Sequence, residues 1–425
     1  MSILKVDKLH SEDGANSNVE LDDSRNTTCK GNLTVDGTTT LTGAVTLPAG
    51  TTSDTKSFRN LIINGAMQVA QRSSSSTDNG YGSLDRFALH SGGTDEAPTH
   101  AQITLTSSDT GPWGKGFSKA LQVTNGNQTS GAGAADSMEL QTILEGQDVH
   151  NSGWVPTDPN SKLTISYWAK SSVAQTFYFR FRAFASSEYE YTYSVALSAN
   201  TWTKVTETIP GNSNFSSLVA TNAKGFFHSW ALFNGTDQTN NKTLDAWAVK
   251  DNANKSPDCT STWYTTNDAT FAITGVQLEV GDTATDFEHR SYGEELSRCH
   301  RYCQMDSATT SGHQWHMYGQ GYSAGATYAY INVELHTPMR VIPSLVEKGL
   351  DAGSTSSSGN GALIEQVTTS GISNYAVSSA NVNAASTPQR IMVYVGHDTS
   401  GSQAQPCGLV SWNNQTSYLL LSAEL

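Results

Sequence analysis

The chain has few charged residues and no long apolar run. Only 15% of its 425 residues are charged and 36% are hydrophobic. No stretch approaches the roughly 18 apolar residues that a membrane-spanning helix needs, and the opening MSILKVDKLHSEDG lacks the apolar core of a signal peptide. We therefore expect synthesis in the cytoplasm and no insertion into a membrane.

Cysteine and basic residues are also scarce. The five cysteines are odd in number and scattered, which does not describe a disulfide framework, so we expect free thiols. Lys and Arg total 25 against 39 Asp and Glu, and the net charge is −14 without any basic cluster. Binding to a phosphate backbone needs such clusters, so we expect no nucleic-acid partner.

Glycine, serine, threonine and asparagine are abundant throughout, which favours short strands joined by polar turns and an all-β fold. The stretch GNLTVDGTTTLTGAVTLPAG, residues 31–50, alternates apolar residues in short bursts between turn signals: Leu33, Val35, Leu41, Val45 and Leu47. A hairpin of this size is marginal alone, so other copies must cover its apolar face. We predict a short intertwined β shaft over residues 31–56 and a homotrimer. The alternative is a flexible linker.

Residues 1–30 carry one apolar alternation, at Ile3, Leu4 and Val6, followed by a polar run. The pattern predicts one strand that pairs with the sheet edge of another protein and orders on docking. A frayed terminus is the alternative.

Residues 57–290 predict one β domain of the sandwich or jelly-roll type, because Asn-Gly turn signals punctuate alternating runs. In one strand Phe177, Phe179 and Phe181 point to one face. Tyr178, Arg180 and Arg182 point to the other face. A second alternating run, residues 188–195, has a tyrosine-rich face that fits either the core or a ligand surface.

The segment YGEELSRCHRYCQ, residues 292–304, predicts a helix that links two domains over residues 291–304, because Leu296, Cys299 and Cys303 form one stripe. Residues 305–425 predict a second, smaller β-sandwich. In it Ala329, Ile331, Val333 and Leu335 alternate with polar and tyrosine residues, and Ile391, Val393 and Val395 alternate with Met392 and Tyr394.

The sequence shows no clear pattern of catalytic or metal-binding residues. No carboxylate pair suited to glycoside cleavage stands out, and Asp85 with Arg86 is interpreted as a structural pair. Cys299, His300 and Cys303 lack the paired spacing of structural zinc sites and are interpreted as helix residues with buried thiols. We expect no enzymatic activity and no cofactor.

Several phrases resemble bacteriophage tail fibres. GNLTVDGTTTLTG resembles fibre stalks, and EELSRCHRYC resembles a fibre helix, with Cys303 where an aromatic residue is more usual. The phrases at 60–72, 84–87, 163–171, 201–210 and 271–290 are similar to fibre domains related to carbohydrate-binding jelly rolls. The resemblance implies a non-catalytic sandwich, attachment of residues 1–30 to a tail or baseplate protein, and a structural calcium near Asn64 and Asp286.

Sugar binding needs flat aromatic faces with planar hydrogen-bonding groups around them. Outward-facing candidates in the second domain are His316, Tyr318, Tyr328 and Tyr330, and those in the first are Tyr178, Arg180 and Arg182. We favour the second group, because a fibre docked by its N-terminus presents its C-terminal domain outward.

The sequence as a whole therefore predicts a virion tail-fibre protein. It would adhere to host surface polysaccharide or lipopolysaccharide by multivalent binding without turnover. Two alternatives remain open: a structural adaptor that carries another adhesin, and a glycan-degrading tailspike.

Overall fold

The structure is a computed structural model that describes residues 8–10, 17–21, 27–29, 59–307, 316–348, 361–368, 371–397, 405–412 and 418–425. The chain forms two compact units, Met1–Ser53 and Asp54–Leu425. The described part is mostly antiparallel β structure, which confirms the predicted all-β class. In these residues no helix has both the length and the apolar character to cross a membrane.

The first unit contains a three-stranded antiparallel sheet in the order β1-β2-β3: β1 (Lys8–His10), β2 (Ser17–Leu21) and β3 (Thr27–Cys29). The prediction of a single strand in residues 1–30 is therefore wrong. Strand pairing is made by main-chain hydrogen bonds and does not require apolar side chains. Short, polar strands can therefore form without the apolar alternation on which the prediction relied. The predicted docking and shaft residues lie outside the described residues: Ile3, Leu4, Val6, Leu33, Val35, Leu41, Val45 and Leu47.

The second unit begins with a β-sandwich. Its strands are β4 (Ser75–Ser76), β5 (Ala88–Gly92), β6 (Thr99–Thr104), β7 (Lys119–Thr124), β8 (Ser137–Glu145), β9 (Lys162–Ser171), β10 (Gln175–Phe184), β11 (Glu188–Leu197), β12 (Thr203–Pro210), β13 (Lys224–Asn234), β14 (Trp247–Val249) and β15 (Thr270–Val280). They form two six-stranded sheets, which we call the first sheet, β14-β11-β10-β13-β8-β5, and the second sheet, β12-β9-β15-β7-β6-β4. The predicted sandwich is confirmed as an architecture.

Aromatic side chains fill the space between the two sheets. Phe177, Phe179 and Phe181 are at most 2% exposed, as their alternation predicts. Tyr191 and Tyr193 are also buried, so the tyrosine-rich face of β11 belongs to the core and not to a ligand surface. Burying an aromatic residue removes about 150–250 Å² of surface from water, and this apolar burial stabilises the pairing of the two sheets.

The last sandwich strand, β15, needs a bulge to bury its apolar residues. Ile273, Val276 and Leu278 are all fully buried. Residues 273 and 276 would face opposite sides of a regular strand. The register against β9 shifts between residues 274 and 277, and Gly275 within the shift has a φ of +63°. This left-handed conformation suits glycine, and the extra residue returns Val276 and Leu278 to the core.

The helices in the described part of the chain are few and short. They are α1 (Gly146–His150), α2 (Thr262–Thr265) and α3 (Tyr292–His300), with 3-10 turns at Trp113–Lys115, Ser213–Ser217 and Thr236–Gln238. α3 confirms the predicted helix, although it is shorter than the predicted residues 291–304, and its role as a link between two domains stays a prediction. The Ser291 hydroxyl caps it by accepting from the Glu294 N–H at 3.3 Å. The helix ends before Cys303, which begins the next strand and is buried together with Cys299.

The C-terminal part is a barrel, so the prediction of a second sandwich is wrong. Its strands are β16 (Cys303–Ser307), β17 (His316–Gly325), β18 (Tyr328–Val333), β19 (Ser344–Lys348), β20 (Gly361–Thr368), β21 (Gly371–Val382), β22 (Ile391–His397), β23 (Pro406–Trp412) and β24 (Tyr418–Ser422). Strands β17-β18-β22-β21-β20-β23 close on themselves, and β16-β24-β19 form a separate sheet. Alternation reveals a buried face but does not say whether a sheet closes.

Charged and polar contacts fix the barrel part to the sandwich. Glu145, at the end of β8, accepts from the Arg301 Nε at 2.7 Å and the Tyr302 hydroxyl at 2.6 Å. Arg340 donates to the Asn222 carbonyl at 2.9 Å. Glu145 is fully buried, and a buried carboxylate is costly unless it is paired in this way.

Candidate functional site

Four tyrosines share the outer face of the barrel across three neighbouring strands. Tyr330 on β18 lies directly opposite Tyr322 on β17 and Tyr394 on β22. Tyr328 is two residues before Tyr330 and therefore projects from the same side of β18. We call Tyr322, Tyr328, Tyr330 and Tyr394 the tyrosine platform. Cross-strand register, rather than proximity in sequence, assembles it.

The four rings contact one another as a continuous layer. The Tyr330 ring centre lies 5.9 Å from that of Tyr322 and 6.0 Å from that of Tyr394. Tyr328 stacks on Tyr394 with ring centres 5.4 Å apart and planes 25° apart. Tyr322 is 48% exposed, and the other three are half-buried by their neighbours. The platform therefore offers aromatic surface to solvent in a fixed arrangement.

Carboxamide side chains border the platform. Asn381 on β21 is directly opposite Tyr394 and is exposed. Gln320 and Asn332 form the adjoining exposed cross-strand pair, opposite each other on β17 and β18. Each carboxamide supplies both hydrogen-bond donors and an acceptor in one plane. An aromatic layer with such groups at its edge can hold a ring that has one apolar face and polar substituents around it.

A glycine makes room for one of the rings. A Cβ at Gly325, the last residue of β17, would lie 2.2 Å from Cε1 of Tyr328. Real side chains do not approach this closely, so any larger residue would displace the ring. The position of Tyr328 in the platform thus depends on a residue of the neighbouring strand.

The outward residues predicted in the second domain divide into two groups. Tyr328 and Tyr330 lie on the outer face and belong to the platform. Tyr318 is 3% exposed and packs in the barrel core, so its prediction as an outward residue is wrong. The cause is a bulge: Met317 and Gly319 pair with consecutive residues of β23, which leaves Tyr318 as the extra residue and turns it inward.

His316, the remaining predicted residue of this domain, contacts Asp306 and Tyr318 rather than a ring of the platform. Its Nε2 is 2.6 Å from an Asp306 carboxylate oxygen, and its ring packs edge-on against Tyr318 with centres 4.9 Å apart. Sequence reasoning missed Tyr322 and Tyr394 as site residues. The alternation of Tyr394 with Val393 and Val395 was a signal for its outward position, but only the register shows that it meets Tyr330.

The residues predicted in the first domain lie on the outer face of the first sheet, and two of them are engaged in ion pairs. Arg180 is only 2% exposed, so its prediction as an exposed contact is wrong. Its Nη2 donates to a Glu139 oxygen at 2.6 Å. Arg182 donates through its Nη2 to Glu190 at 2.7 Å. Tyr178 is half-buried on the same strand.

Glu139, Arg180, Glu190 and Lys255 form a group of ion pairs that we call the Glu139 cluster. Burial opposes ionisation of the Glu139 carboxyl group, but the Arg180 guanidinium and the Lys255 ammonium outweigh that effect and bring its pKa down to about 2. Removing one partner of a buried ion pair typically lowers the folding stability of a protein by about 3–5 kcal/mol. The cluster thus holds the loops around the first sheet in place.

A calcium ion near Asn64 and Asp286 would need oxygen ligands from both regions. The Asn64 side chain is buried and bonds main-chain groups, donating to the Val69 and Asp85 carbonyls at 2.8 and 2.9 Å. The Asp286 side chain is 96% exposed beside Lys115. Within the described ranges no three His, Cys, Asp or Glu side chains are grouped to hold a metal. The calcium stays a prediction.

Comparison with known proteins gives matches at the level of structure alone. No protein-family model matches the chain, and no curated protein does. One solved structure is the enzymatically active domain of tailspike protein 4 of bacteriophage CBA120, at 10% identity and a TM-score of 0.28, covering 52% of this chain and 21% of that one. The match thus spans about a fifth of the tailspike chain.

Two others are sugar-binding modules by their descriptions. The N-terminal cellulose-binding domain of a Cellulomonas fimi β-1,4-glucanase has 15% identity and a TM-score of 0.25, covering 51% of this chain and 100% of that one. The family 11 carbohydrate-binding module of a Clostridium thermocellum cellulosomal cellulase has 12% identity and a TM-score of 0.24, covering 51% and 98%. TM-scores this low carry no argument about the fold or function of this chain.

Proposed function

We propose that this chain is a non-catalytic glycan-binding protein and that the tyrosine platform is its binding surface. The observation that supports this is the layer of four rings in mutual contact on the outer face of the barrel, bordered by Asn381, Asn332 and Gln320. A pyranose ring places its C–H face on an aromatic ring, while its hydroxyls pair with carboxamides.

The platform is not needed to fill the barrel. The interior is already packed by aliphatic residues such as Ile331, Val393 and Leu409, none of which is measurably exposed. Aromatic side chains on the opposite face therefore contribute to the surface rather than to the core. Aromatic residues gathered on an exposed face are typical of binding surfaces.

We further propose that the protein acts as a phage tail fibre in the virion. Residues 1–30 would dock on a tail or baseplate protein, residues 31–56 would form a trimeric shaft, and residues 305–425 would contact host polysaccharide or lipopolysaccharide. The fibre-like phrases of the sequence support this assignment. Three heads on one fibre raise the apparent affinity of weak single sites through effective concentration.

The tailspike alternative would require a pair of carboxylates flanking a glycosidic bond, about 5–10 Å apart. The platform and its border consist of tyrosine, asparagine and glutamine side chains, which suit binding rather than acid–base chemistry. We therefore propose that the activity is adhesion without turnover.

A glycan array of bacterial surface polysaccharides, probed with the full-length protein, tests the proposal. Wild-type protein should bind at least one glycan that carries no carboxylate, and the double substitution Tyr330→Ala, Tyr394→Ala should abolish that signal. Tyr292→Ala is the matched control, because Tyr292 is 58% exposed on α3, away from the barrel strands. Retained binding by the double variant would reject the platform. Shortening of the bound polysaccharide would favour the tailspike alternative.

A further inference from the structure

A groove of about 580 Å³ opens on the outer face of the second sheet, and its lining contains none of the predicted glycan-contact residues. Its lining combines aromatic rings, two lysines and a histidine: Lys115, Phe117, Trp168, Lys204, Thr206, Ala284, Thr285, Asp286, Phe287 and His289. It belongs to the sandwich and not to the barrel, so it is separate from the tyrosine platform. A ligand in this groove would bind whether or not the platform binds a glycan.

The floor of the groove is aromatic and preformed. Tyr167 points into the sandwich core, so the next residue of β9, Trp168, points to the outer face, where it is half-buried. Phe117 is 2% exposed, and its ring centre lies 4.9 Å from Phe287 and 5.0 Å from His289. Gly275 leaves the space that Phe117 occupies, since a Cβ there would lie 2.6 Å from the ring.

The wall formed by residues 284–289 is held by hydrogen bonds to β15. The Glu288 N–H donates to the Gln277 side-chain oxygen at 2.8 Å, and the Thr285 hydroxyl donates to Glu279 at 2.6 Å. Both partners on β15 are buried. These hydrogen bonds therefore hold the wall in place relative to β15 when no ligand is bound.

Lys204 supplies a positive charge beside this floor. It lies directly opposite Trp168 in the β12–β9 register, and its Nζ donates to the Ser166 hydroxyl at 3.2 Å. Burial lowers the pKa of Lys204, although Glu279 and Asp286 partly oppose this. Among the described residues, no carboxylate oxygen lies close enough to the Lys204 Nζ to form an ion pair.

Lys115 adds a second ammonium at the rim. It lies 3.6 Å from the Asp286 carboxylate, and both side chains are well exposed. Exposed pairs of this kind are weak because solvent screens them, so they open readily. The groove thus presents two ammonium groups, neither of which is held in a buried ion pair among the described residues, on a chain whose net charge is −14.

We propose that this groove is a second glycan-binding site and that it selects sugars bearing a carboxylate, such as uronic acids. One face of the sugar ring stacks on Trp168, and the carboxylate pairs with the Lys204 ammonium. Charge complementarity carries the choice of ligand, because a carboxylate can form a charge-assisted hydrogen bond with the Lys204 ammonium that a neutral hydroxyl cannot match.

Calorimetric titration of the full-length protein with uronic-acid trisaccharides tests the proposal, using galacturonate, mannuronate and guluronate trimers and their carboxyl-reduced counterparts. Wild-type protein should bind at least one acidic trimer about fivefold more tightly than its reduced form. Lys204→Gln should remove that preference. Lys224→Gln, which removes an exposed lysine of the first sheet, should retain it.

Three results would overturn the proposal: no acidic trimer binds, the reduced trimers bind equally well, or the preference survives Lys204→Gln. Trp168→Ala should weaken both forms, and unchanged binding of both would reject the stacking floor. Tyr330→Ala should leave the preference intact, and its loss in that variant would place acid recognition on the tyrosine platform instead. Lys204→Gln keeps a polar side chain on β12, and an unchanged melting temperature of this variant checks that the sandwich remains folded.

Discussion

Replacement of Tyr330 by alanine tests the tyrosine platform at its centre. The Tyr330 ring centre lies 5.8–6.0 Å from those of Tyr322, Tyr328 and Tyr394, so no other ring of the platform is surrounded in the same way. An aromatic contact is worth about 0.5–1.5 kcal/mol beyond the area it buries. A loss of about 1 kcal/mol corresponds to about fivefold weaker binding of a single oligosaccharide.

The same substitution also tests multivalency. When three heads bind one polysaccharide surface, the three losses multiply, so the apparent affinity should fall by about 100-fold. Calorimetry with a short oligosaccharide measures the single-site effect, and surface plasmon resonance on immobilised polysaccharide measures the combined effect. The barrel core should stay intact, because Tyr330 lies on its outer face, and an unchanged melting temperature checks this.

Two outcomes would refute the reasoning. If Tyr330→Ala binds the oligosaccharide as tightly as wild-type protein, the platform is not the binding surface. If the loss on immobilised polysaccharide equals the loss for the oligosaccharide, the heads do not bind together. Tyr292→Ala should behave as wild type in both measurements.

Three further predictions concern the cluster in the sandwich, the platform and the assembly. Glu139 has a pKa of about 2 in the fold against an ordinary 4.5, so the stability it contributes is complete above pH 4.5 and is lost as the pH falls towards 2. The free energy of unfolding, measured with urea across this range, should fall by up to about 3 kcal/mol more in wild type than in Glu139→Gln, and parallel curves would contradict this. Gly325→Ala should displace the Tyr328 ring and weaken glycan binding, whereas Gly293→Ala, where a Cβ meets open space, should not; equal effects would contradict the platform geometry. Light scattering should give a trimer for the full-length chain and lower mass for a chain beginning at Ser57, and monomers in both cases would contradict the fibre assignment.

Much of the sandwich was predictable because its strands are long and alternate clearly. Phe177, Phe179 and Phe181 have an inward direction that period two alone defines, and the structure confirms it. The same rule failed for Tyr318, because a single extra residue reverses the alternation and leaves no mark in the sequence. Bulges are set by pairing with a partner strand, which a single sequence does not reveal.

The candidate site was predictable only in part for a similar reason. Tyr328 and Tyr330 are neighbours on one strand, so alternation places them on the same face. Tyr322 and Tyr394 join them through strand pairing across the barrel. Arg180 and Arg182 were assigned to the correct face, but their carboxylate partners come from β8 and β11. Long-range pairing of charges therefore decided which side chains remained available for a ligand.

A crystal structure of the full-length protein with its best array glycan tests the central claim most directly. The account predicts an intact glycan on the outer face of the barrel, with a sugar ring stacked on Tyr330 or Tyr394 and hydroxyls bonded to Asn381 or Asn332. A glycan bound only elsewhere, for example against the Glu139 cluster, would contradict the account. A cleaved glycan would contradict the proposal of adhesion without turnover.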